Sequence, residues 1–158
     1  ISLTLPEGVT KLKTGGSYGD STFQYFVNLQ EISGPKVEIV GGEMFYQKCV
    51  NLRTVSFPVA TNIGTSAFGH CNQLSSVYLP MATWFGAVVF RGNSIQPITI
   101  TLGTIAPTFG TRPFDGVSVQ KPVTVRVPSS ALQSYKNNTA WQNSLKSGSS
   151  IILDFEPY

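Results

Sequence analysis

The sequence predicts a β-rich solenoid, in which short strands stack side by side along one face of a continuous coil. The first observation is a repeated pattern, Leu-x-x-Val-x-Leu-Pro, which reads LRTVSFP at 52–58 and LSSVYLP at 74–80. The second is the composition. Only 12% of the residues are charged, about half the usual ~25%. The length of 158 residues suits one domain with a sizeable core.

The strands are predicted from the alternation of inward apolar and outward polar residues within each copy of the pattern. A proline ends the clearest copies because it removes a backbone donor from the strand. The equivalent central positions are Leu3, Ile32, Val55, Val77, Ile98 and Val125, separated by 29, 23, 22, 21 and 27 residues. This spacing is typical of stacked repeat coils. It predicts strands near 2–5, 29–33, 53–57, 75–79, 96–101 and 123–127.

The segment after each strand repeats as well, and it predicts an irregular opposite side of the coil. It reads Ile-Gly-x-x-Ala-Phe at 63–68 and Phe-Gly-x-x-Val-Phe at 85–90. Glycine permits a tight bend there, and the phenylalanine that follows is expected to fill the interior of the coil. We expect single helical turns near Phe45, Phe68 and Phe90.

The last part of the chain predicts a cap. A helix is expected over about 130–143, with one of the two serines at 129–130 accepting a backbone N–H bond at its start. Tyr135 and Trp141 would face the last coil, which explains them more simply than a carbohydrate platform does. Residues 151–155 alternate well enough for a final strand. Helix and strand together would cover the open end, as the terminal units of a solenoid must.

The only histidine, His70, lies beside Cys71, and the pair has three interpretations: a buried cysteine with an exposed histidine, a metal site, or a catalytic pair. The repeat favours the first, because Cys71 falls on an apolar position one repeat after Cys49, whereas His70 falls in a turn. A metal site needs three or four ligands, and a catalytic pair normally joins residues distant in sequence. A disulfide between Cys49 and Cys71 stays possible, since stacked coils lie ~4.8 Å apart, but buried thiols are favoured.

Two segments resemble a known family. Residues 71–80, Cys-Asn-x-Leu-x-x-Val-x-Leu-Pro, and residues 63–68, Ile-Gly-x-x-Ala-Phe, resemble the BspA-like leucine-rich repeats of bacterial cell-surface proteins. Residues 124–141 resemble the closing unit of that family: strand, proline, short helix and aromatic. The resemblance implies a right-handed leucine-rich repeat coil with a C-terminal capping helix. It implies one domain over 1–158, with an atypical first repeat at 1–28, regular repeats at 29–101, and an atypical last repeat and cap at 102–158.

Composition and motifs argue against several functional classes. The net charge is only +3 and the Lys and Arg residues are scattered, which argues against nucleic-acid binding. No run of about 18 apolar residues is present to cross a membrane. The glycine-rich stretch at 14–20 lacks the Lys-Ser/Thr ending of a phosphate loop, and no pair of carboxylates stands out. We therefore expect no enzymatic activity, no cofactor and no metal.

The expected function is binding through the outward side chains of the strands. A solenoid presents an extended surface, and Tyr and Arg are enriched at interface hot spots. The candidate contacts are Ser33, Arg53, Ser56, Ser76, Tyr78, Thr99 and Arg126. The resemblance implies an exported or surface-attached module that binds a host extracellular or cell-surface protein, or a glycan. The alternative is an architectural repeat domain that spaces or displays other parts of a larger surface protein and has no ligand of its own.

Overall fold

A computed structural model describes residues 1–12, 22–23, 25–93, 96–117, 122–147 and 151–158 of the chain. The glycine-rich stretch at 14–20 lies outside these residues. The described chain winds as a β-solenoid with three sides. Two sides are parallel sheets, of seven and five strands, and the third is made of turns.

The seven-stranded sheet, called the front sheet, confirms the strands predicted from the alternating pattern. Its strands, in spatial order, are β1 (Ser2–Thr4), β3 (Glu31–Ser33), β5 (Thr54–Ser56), β7 (Ser76–Tyr78), β9 (Ile98–Thr101), β11 (Pro122–Val127) and β12 (Ile152–Pro157). All neighbours are parallel and in register, so that Val55 pairs with Ile32 on one side and with Val77 on the other. The alternation therefore places equivalent residues of successive coils directly beside one another.

The predicted equivalence of Ile98 with Val77 is wrong. Val77 pairs with Ile100, and Ile100 pairs with Val125. Ile98 and Ile100 are both buried, because residues two apart on a strand point to the same side. The apolar pattern fits either residue equally well, and only the pairing of the strands decides between them.

The five-stranded sheet, called the rear sheet, is a second sheet that the sequence did not predict. Its strands, in chain order, are β2 (Lys11–Leu12), β4 (Ile39–Val40), β6 (Asn62–Ile63), β8 (Trp84–Phe85) and β10 (Thr108–Phe109). Each strand has two residues, of which the second points inward and the first outward. A strand this short has no alternation to detect, so the sequence signal for it is absent.

The third side consists of turns. Near Phe45, Phe68 and Phe90 the N–H groups of Tyr46, Gly69 and Arg91 donate to the carbonyls three residues earlier, so single turns form there but none extends into a helix. The N–H groups of Glu43, Phe45 and Gln47 donate to carbonyls of the next coil at 2.8, 3.0 and 3.1 Å, rather than along a helix. Several residues here have the positive φ that non-glycine residues seldom adopt. They are Glu43, Gln47, Ser66, His70, Val88 and Arg112. The irregular side thus adds its own hydrogen bonds between coils.

Stacked phenylalanine rings fill the interior, as predicted for Phe45, Phe68 and Phe90. Phe23 and Phe114 extend the same column, and successive ring centroids lie 5.1, 5.5, 5.9 and 5.0 Å apart. All five side chains are buried. Truncating a buried phenylalanine to alanine typically costs about 3–5 kcal/mol, so the column is a major part of the core.

The cap contains two helices, α1 (Leu132–Asn137) and α2 (Thr139–Lys146), where the sequence predicted one. The helix is interrupted at Asn138. The side-chain oxygen of Asn138 accepts the N–H of Trp141 at 3.0 Å and so caps the start of α2. The predicted serine cap is also wrong. Ala131 begins α1 without a side-chain hydrogen bond, and the hydroxyl of Ser129 instead donates to the carbonyl of Tyr158 at 3.3 Å.

The capping role of Tyr135 and Trp141 is confirmed. The hydroxyl of Tyr135 donates to the carbonyl of Gly103 at 3.1 Å, and the indole N–H of Trp141 donates to that of Pro107 at 2.7 Å. Both rings are buried, so their polar groups need these partners. The final strand is confirmed too, because β12 pairs in parallel with β11 along its whole length.

A column of glycines lets the coils approach where the chain leaves the rear sheet. A Cβ atom at Gly64, Gly86 or Gly110 would lie within 3.0 Å of the backbone of the preceding coil. These contacts are with backbone rather than with flexible side chains, so relief would require the coils to separate.

We predict that Gly86→Ala destabilises the protein by about 3 kcal/mol, the upper part of the range for overpacking, because the added methyl would overlap the backbone nitrogen of Thr65. Gly8→Ala is the matched control, since no atom lies within 4 Å of its added methyl. Urea unfolding followed by circular dichroism measures both. Equal stability of the two variants would contradict a steric need for glycine at position 86.

Candidate functional site

The outward residues of the front sheet form two straight rows across seven strands. One row contains Ser2, Glu31, Thr54, Ser76, Thr99, Thr124 and Asp154. The other contains Thr4, Ser33, Ser56, Tyr78, Thr101, Arg126 and Glu156. Most of these side chains carry a hydroxyl group that both donates and accepts hydrogen bonds. The face is therefore polar but carries few charges.

The structure brings most of the candidate residues together on this face. Ser56, Tyr78 and Arg126 belong to one row, and Ser76 and Thr99 belong to the other. Ser33 pairs with Ser56 and continues the first row. These positions follow from strand alternation, which is why the sequence could identify them.

Arg53 lies apart from Tyr78 and Arg126. It precedes β5, whereas Tyr78 ends β7 and pairs with Ser56, the last residue of β5. The two positions are separated along the strand direction by roughly 10 Å, at 3.3 Å per residue. Arg53 lines a shallow pocket of about 200 Å³ with Gln73, Ser75 and Gln96.

Two tyrosines and an arginine gather at the carboxyl ends of the front strands, here called the carboxyl edge. The Arg126 guanidinium carbon lies 5.9 Å from the centre of the Tyr158 ring. Tyr158 folds back from β12, and its hydroxyl donates to the carbonyl of Leu102 at 3.0 Å. Tyr78 and Tyr158 are 40% and 48% exposed. The sequence pattern does not reveal Tyr158 as part of this edge, because its position depends on the chain turning after the last strand.

The electrostatics of the carboxyl edge reflect this grouping. Burial raises the pKa of Tyr158, the nearby Tyr78 raises it further, and the Arg126 charge opposes both. Arg126 also lies 3.8 Å from the carboxylate of Glu156. Both partners are substantially exposed, so this ion pair contributes at most about 1 kcal/mol to stability. Its main effect is to restrict where the guanidinium points.

The two cysteines are buried, as the repeat favoured, whereas His70 is half-buried and not exposed as expected. His70 lies in a turn with a positive φ of 59°, and its ring contacts Tyr46 edge-on at 5.4 Å. Both cysteines are buried free thiols, so the possible disulfide is not formed. The thiol of Cys49 donates to the carbonyl of Phe23 at 2.8 Å, and that of Cys71 to Phe45 at 3.3 Å.

Asn93 occupies the equivalent place on the next coil. Its amide donates to the carbonyl of Phe68 at 2.9 Å, so a cysteine and an asparagine perform the same task on successive coils. Each one donates to a backbone carbonyl of the phenylalanine column. The carbonyl of Phe23 also accepts the N–H of Phe26 at 3.0 Å, and a buried carbonyl left without any donor would carry a desolvation cost. This explains the cysteines as structural donors.

The described part of the chain contains neither a cluster of metal ligands nor a membrane-spanning helix. No group of three His, Cys, Asp or Glu side chains there could hold a metal ion. No described helix is long and apolar enough to cross a membrane.

The family that matches this sequence is itself built of leucine-rich repeats, in agreement with the stacked coils of the structure. The BspA type leucine-rich repeat region matches residues 2–120 in six copies. The chain belongs to the BspA-type leucine-rich repeat family. The resemblance seen in residues 63–80 is thereby confirmed. Repeats of this family generally mediate protein interaction and occur in bacterial surface proteins.

A solved structure shares the fold. It is a leucine-rich repeat protein from Bacteroides ovatus ATCC 8483, with a TM-score of 0.53 and 19% sequence identity. The similarity covers 98% of this chain and 42% of that chain, so this chain spans less than half the length of its structural relative. No curated protein sequence matches this chain.

The buried thiols predict a loss of stability at alkaline pH. Burial raises the pKa of Cys49 from 9.0 to about 12. Burial also raises the pKa of Cys71, and electrostatic repulsion from the nearby Cys49 raises it further. Unfolded thiols ionise above pH 9 while folded ones stay protonated, so unfolding releases protons and stability falls as the pH rises. We expect each thiol to lower the free energy of unfolding by about 1 kcal/mol between pH 9 and 10, because the unfolded thiol is already half ionised at pH 9.

Urea unfolding at pH 8, 9 and 10 measures this decrease. In Cys49→Ala/Cys71→Ala the fall should begin only near pH 10, where Tyr135 contributes because burial raises its pKa as well. The same pH dependence in both proteins would show that the thiols are not responsible.

Proposed function

We propose that this chain is a non-enzymatic binding module that attaches to an extracellular protein through the front sheet. The family supports the class, because its repeats generally mediate protein interaction. The observation that carries the proposal is the convergence of Tyr78, Arg126 and Tyr158 at the carboxyl edge of a face otherwise lined by hydroxyl groups.

The chemistry of the carboxyl edge suits a protein partner. Tyrosine offers a large, fairly rigid contact area with a polar tip, and Tyr and Arg dominate interface hot spots. Arg126 is already restrained by Tyr158 and Glu156, so ordering it on binding costs less conformational entropy. The surrounding Ser and Thr hydroxyls can pair with the backbone groups of a bound segment.

The proposed location is outside the cell or on its surface. Family members are generally bacterial surface proteins, and the front sheet carries hydroxyl groups instead of a strong field of one charge. We also propose that residues 1–158 act as one domain, since the described coils share one core from Leu5 to Ile151.

Binding of the purified chain to immobilised collagen, laminin and fibronectin, measured by surface plasmon resonance, tests the proposal. The double variant Tyr78→Ser/Arg126→Ser should bind at least about 30-fold more weakly, as expected when a hot spot worth 2 kcal/mol or more is removed. Its unfolding midpoint should stay near that of the wild type, because both side chains are exposed.

The control is Tyr25→Ser/Arg112→Ser, which removes the same residue types from exposed positions outside the front sheet. A saturable signal that survives in the Tyr78/Arg126 variant would place the contact elsewhere. The absence of a signal up to about 100 μM, which corresponds to less than about 5.5 kcal/mol of binding free energy, would favour the architectural alternative.

A further inference from the structure

Trp84 is an exposed aromatic residue on the rear sheet, away from the front sheet and its proposed function. Its side chain is 43% exposed, whereas Trp141, the only other tryptophan in the sequence, is 8% exposed and sits in the cap. Trp84 pairs in register with Asn62 on one side and Thr108 on the other. A large flat ring therefore lies open to solvent between two uncharged polar side chains.

A ladder of threonines runs beside this ring. The hydroxyls of Thr61, Thr83 and Thr108 donate to carbonyls of the preceding coils at 3.4, 3.2 and 3.3 Å. A hydroxyl group has one proton and two lone pairs. Because each proton is already committed within the fold, the lone pairs of the ladder are oriented acceptors for the donor groups of a ligand.

The ladder leads into a cleft. This cleft has a volume of about 570 Å³ and is lined by Glu7, Thr10, Lys36, Glu38, Val59 and Thr61. The residue after Thr61 is Asn62, which pairs with Trp84, so the ring lies one strand beyond the edge of the cleft. Neither Glu7 nor Glu38 takes part in the ion pairs of the described residues. Their carboxylates are further acceptors.

We propose that Trp84, the threonine ladder and this cleft form a binding site for an extended neutral polysaccharide. A sugar ring has a flat face of C–H groups that matches an indole ring, and a rim of hydroxyl groups that need hydrogen-bond partners when water is removed. The rear sheet supplies the ring at Trp84 and a surrounding set of acceptors. The inference does not depend on the proposed function of the front sheet.

The charges of the site select a neutral ligand. Glu7 and Glu38 are matched by Lys36 in the cleft and by Lys11, the outward residue of β2 in the same row as Asn62 and Trp84. The site therefore offers no net positive charge, and an acidic polymer would have to approach the two carboxylates. The surroundings of Trp84 are uncharged at Asn62, Thr83 and Thr108. Hydroxyl groups of a neutral sugar can donate to carboxylates and to threonine lone pairs without such a penalty.

The repeat sets the length of the site. Glu38, Thr61, Thr83 and Thr108 follow one another on successive coils, linked by backbone hydrogen bonds of 2.9–3.0 Å. With coils ~4.8 Å apart, these four positions span roughly 14 Å. Glu38, Thr61 and Thr83 each precede the first residue of a rear strand, whereas Thr108 pairs with Trp84 and is offset by one residue. The regular step from coil to coil favours a chain of sugars over a single ring.

Isothermal titration calorimetry with cellohexaose, xylohexaose, mannohexaose and maltohexaose tests the inference on the full chain. At least one should bind with a dissociation constant below 5 mM, an affinity of about 3 kcal/mol or more, and should change the fluorescence of the exposed Trp84. Trp84→Ala should weaken that binding at least about 10-fold, and Thr83→Val, which removes one hydroxyl at nearly constant volume, should weaken it by a smaller factor.

The controls separate this site from the front sheet. Tyr78→Ser/Arg126→Ser should bind the same hexasaccharide as tightly as the wild type, and circular dichroism should show that each variant is folded. Absence of binding by all four sugars, or equal binding by Trp84→Ala, overturns the inference. So does a result in which Trp84→Ala loses an extracellular-matrix protein while no hexasaccharide binds, because the site would then belong to a protein partner.

Discussion

Backbone hydrogen bonding between successive coils is the constraint on which the rest of this molecule depends. Parallel pairing in the front and rear sheets holds neighbouring coils at the ~4.8 Å spacing of adjacent strands, and the turns add bonds on the third side. At that spacing an inward phenylalanine stacks on its equivalent, and a glycine is needed wherever backbones meet. The thiols of Cys49 and Cys71 also reach carbonyls of the preceding coil for this reason.

The sequence predicted the front sheet well because strand alternation is a local signal. Val55 and Val77 occupy the same position of the repeated pattern in consecutive coils, 22 residues apart, and they pair directly in the sheet. The sequence assigned Ile98 as the equivalent of Val77, whereas Ile100 takes that place. Both isoleucines point inward on the same strand, so the pattern does not distinguish them. The rear sheet could not be predicted, since two residues have no period. The break between α1 and α2 depends on the capping side chain of Asn138, which a helical pattern does not reveal.

The residues of the candidate surfaces also differ in whether a local pattern could identify them. Ser56, Ser76, Tyr78, Thr99 and Arg126 were accessible to sequence reasoning because a strand shows every second residue to solvent. Tyr158 joins them only because the chain folds back after β12, and Arg53 departs from them because it precedes its strand. Trp84 went unnoticed because it adjoins the buried Phe85, and the local sequence does not say which aromatic ring of the pair faces solvent.

The strict register of the coils has a consequence for how such a protein varies over evolution. The link from Tyr78 to Trp84 is one residue shorter than the link from Thr101 to Thr108, yet both ends of each link stay paired. Small changes in length are thus absorbed at the corner between the sheets. Duplication of a whole coil would instead lengthen both surfaces by the same ~4.8 Å step and leave distant pairings intact, since each coil touches only its neighbours. The number of repeated contact positions on each surface can therefore change with the number of coils, while the chemistry of each position stays constant.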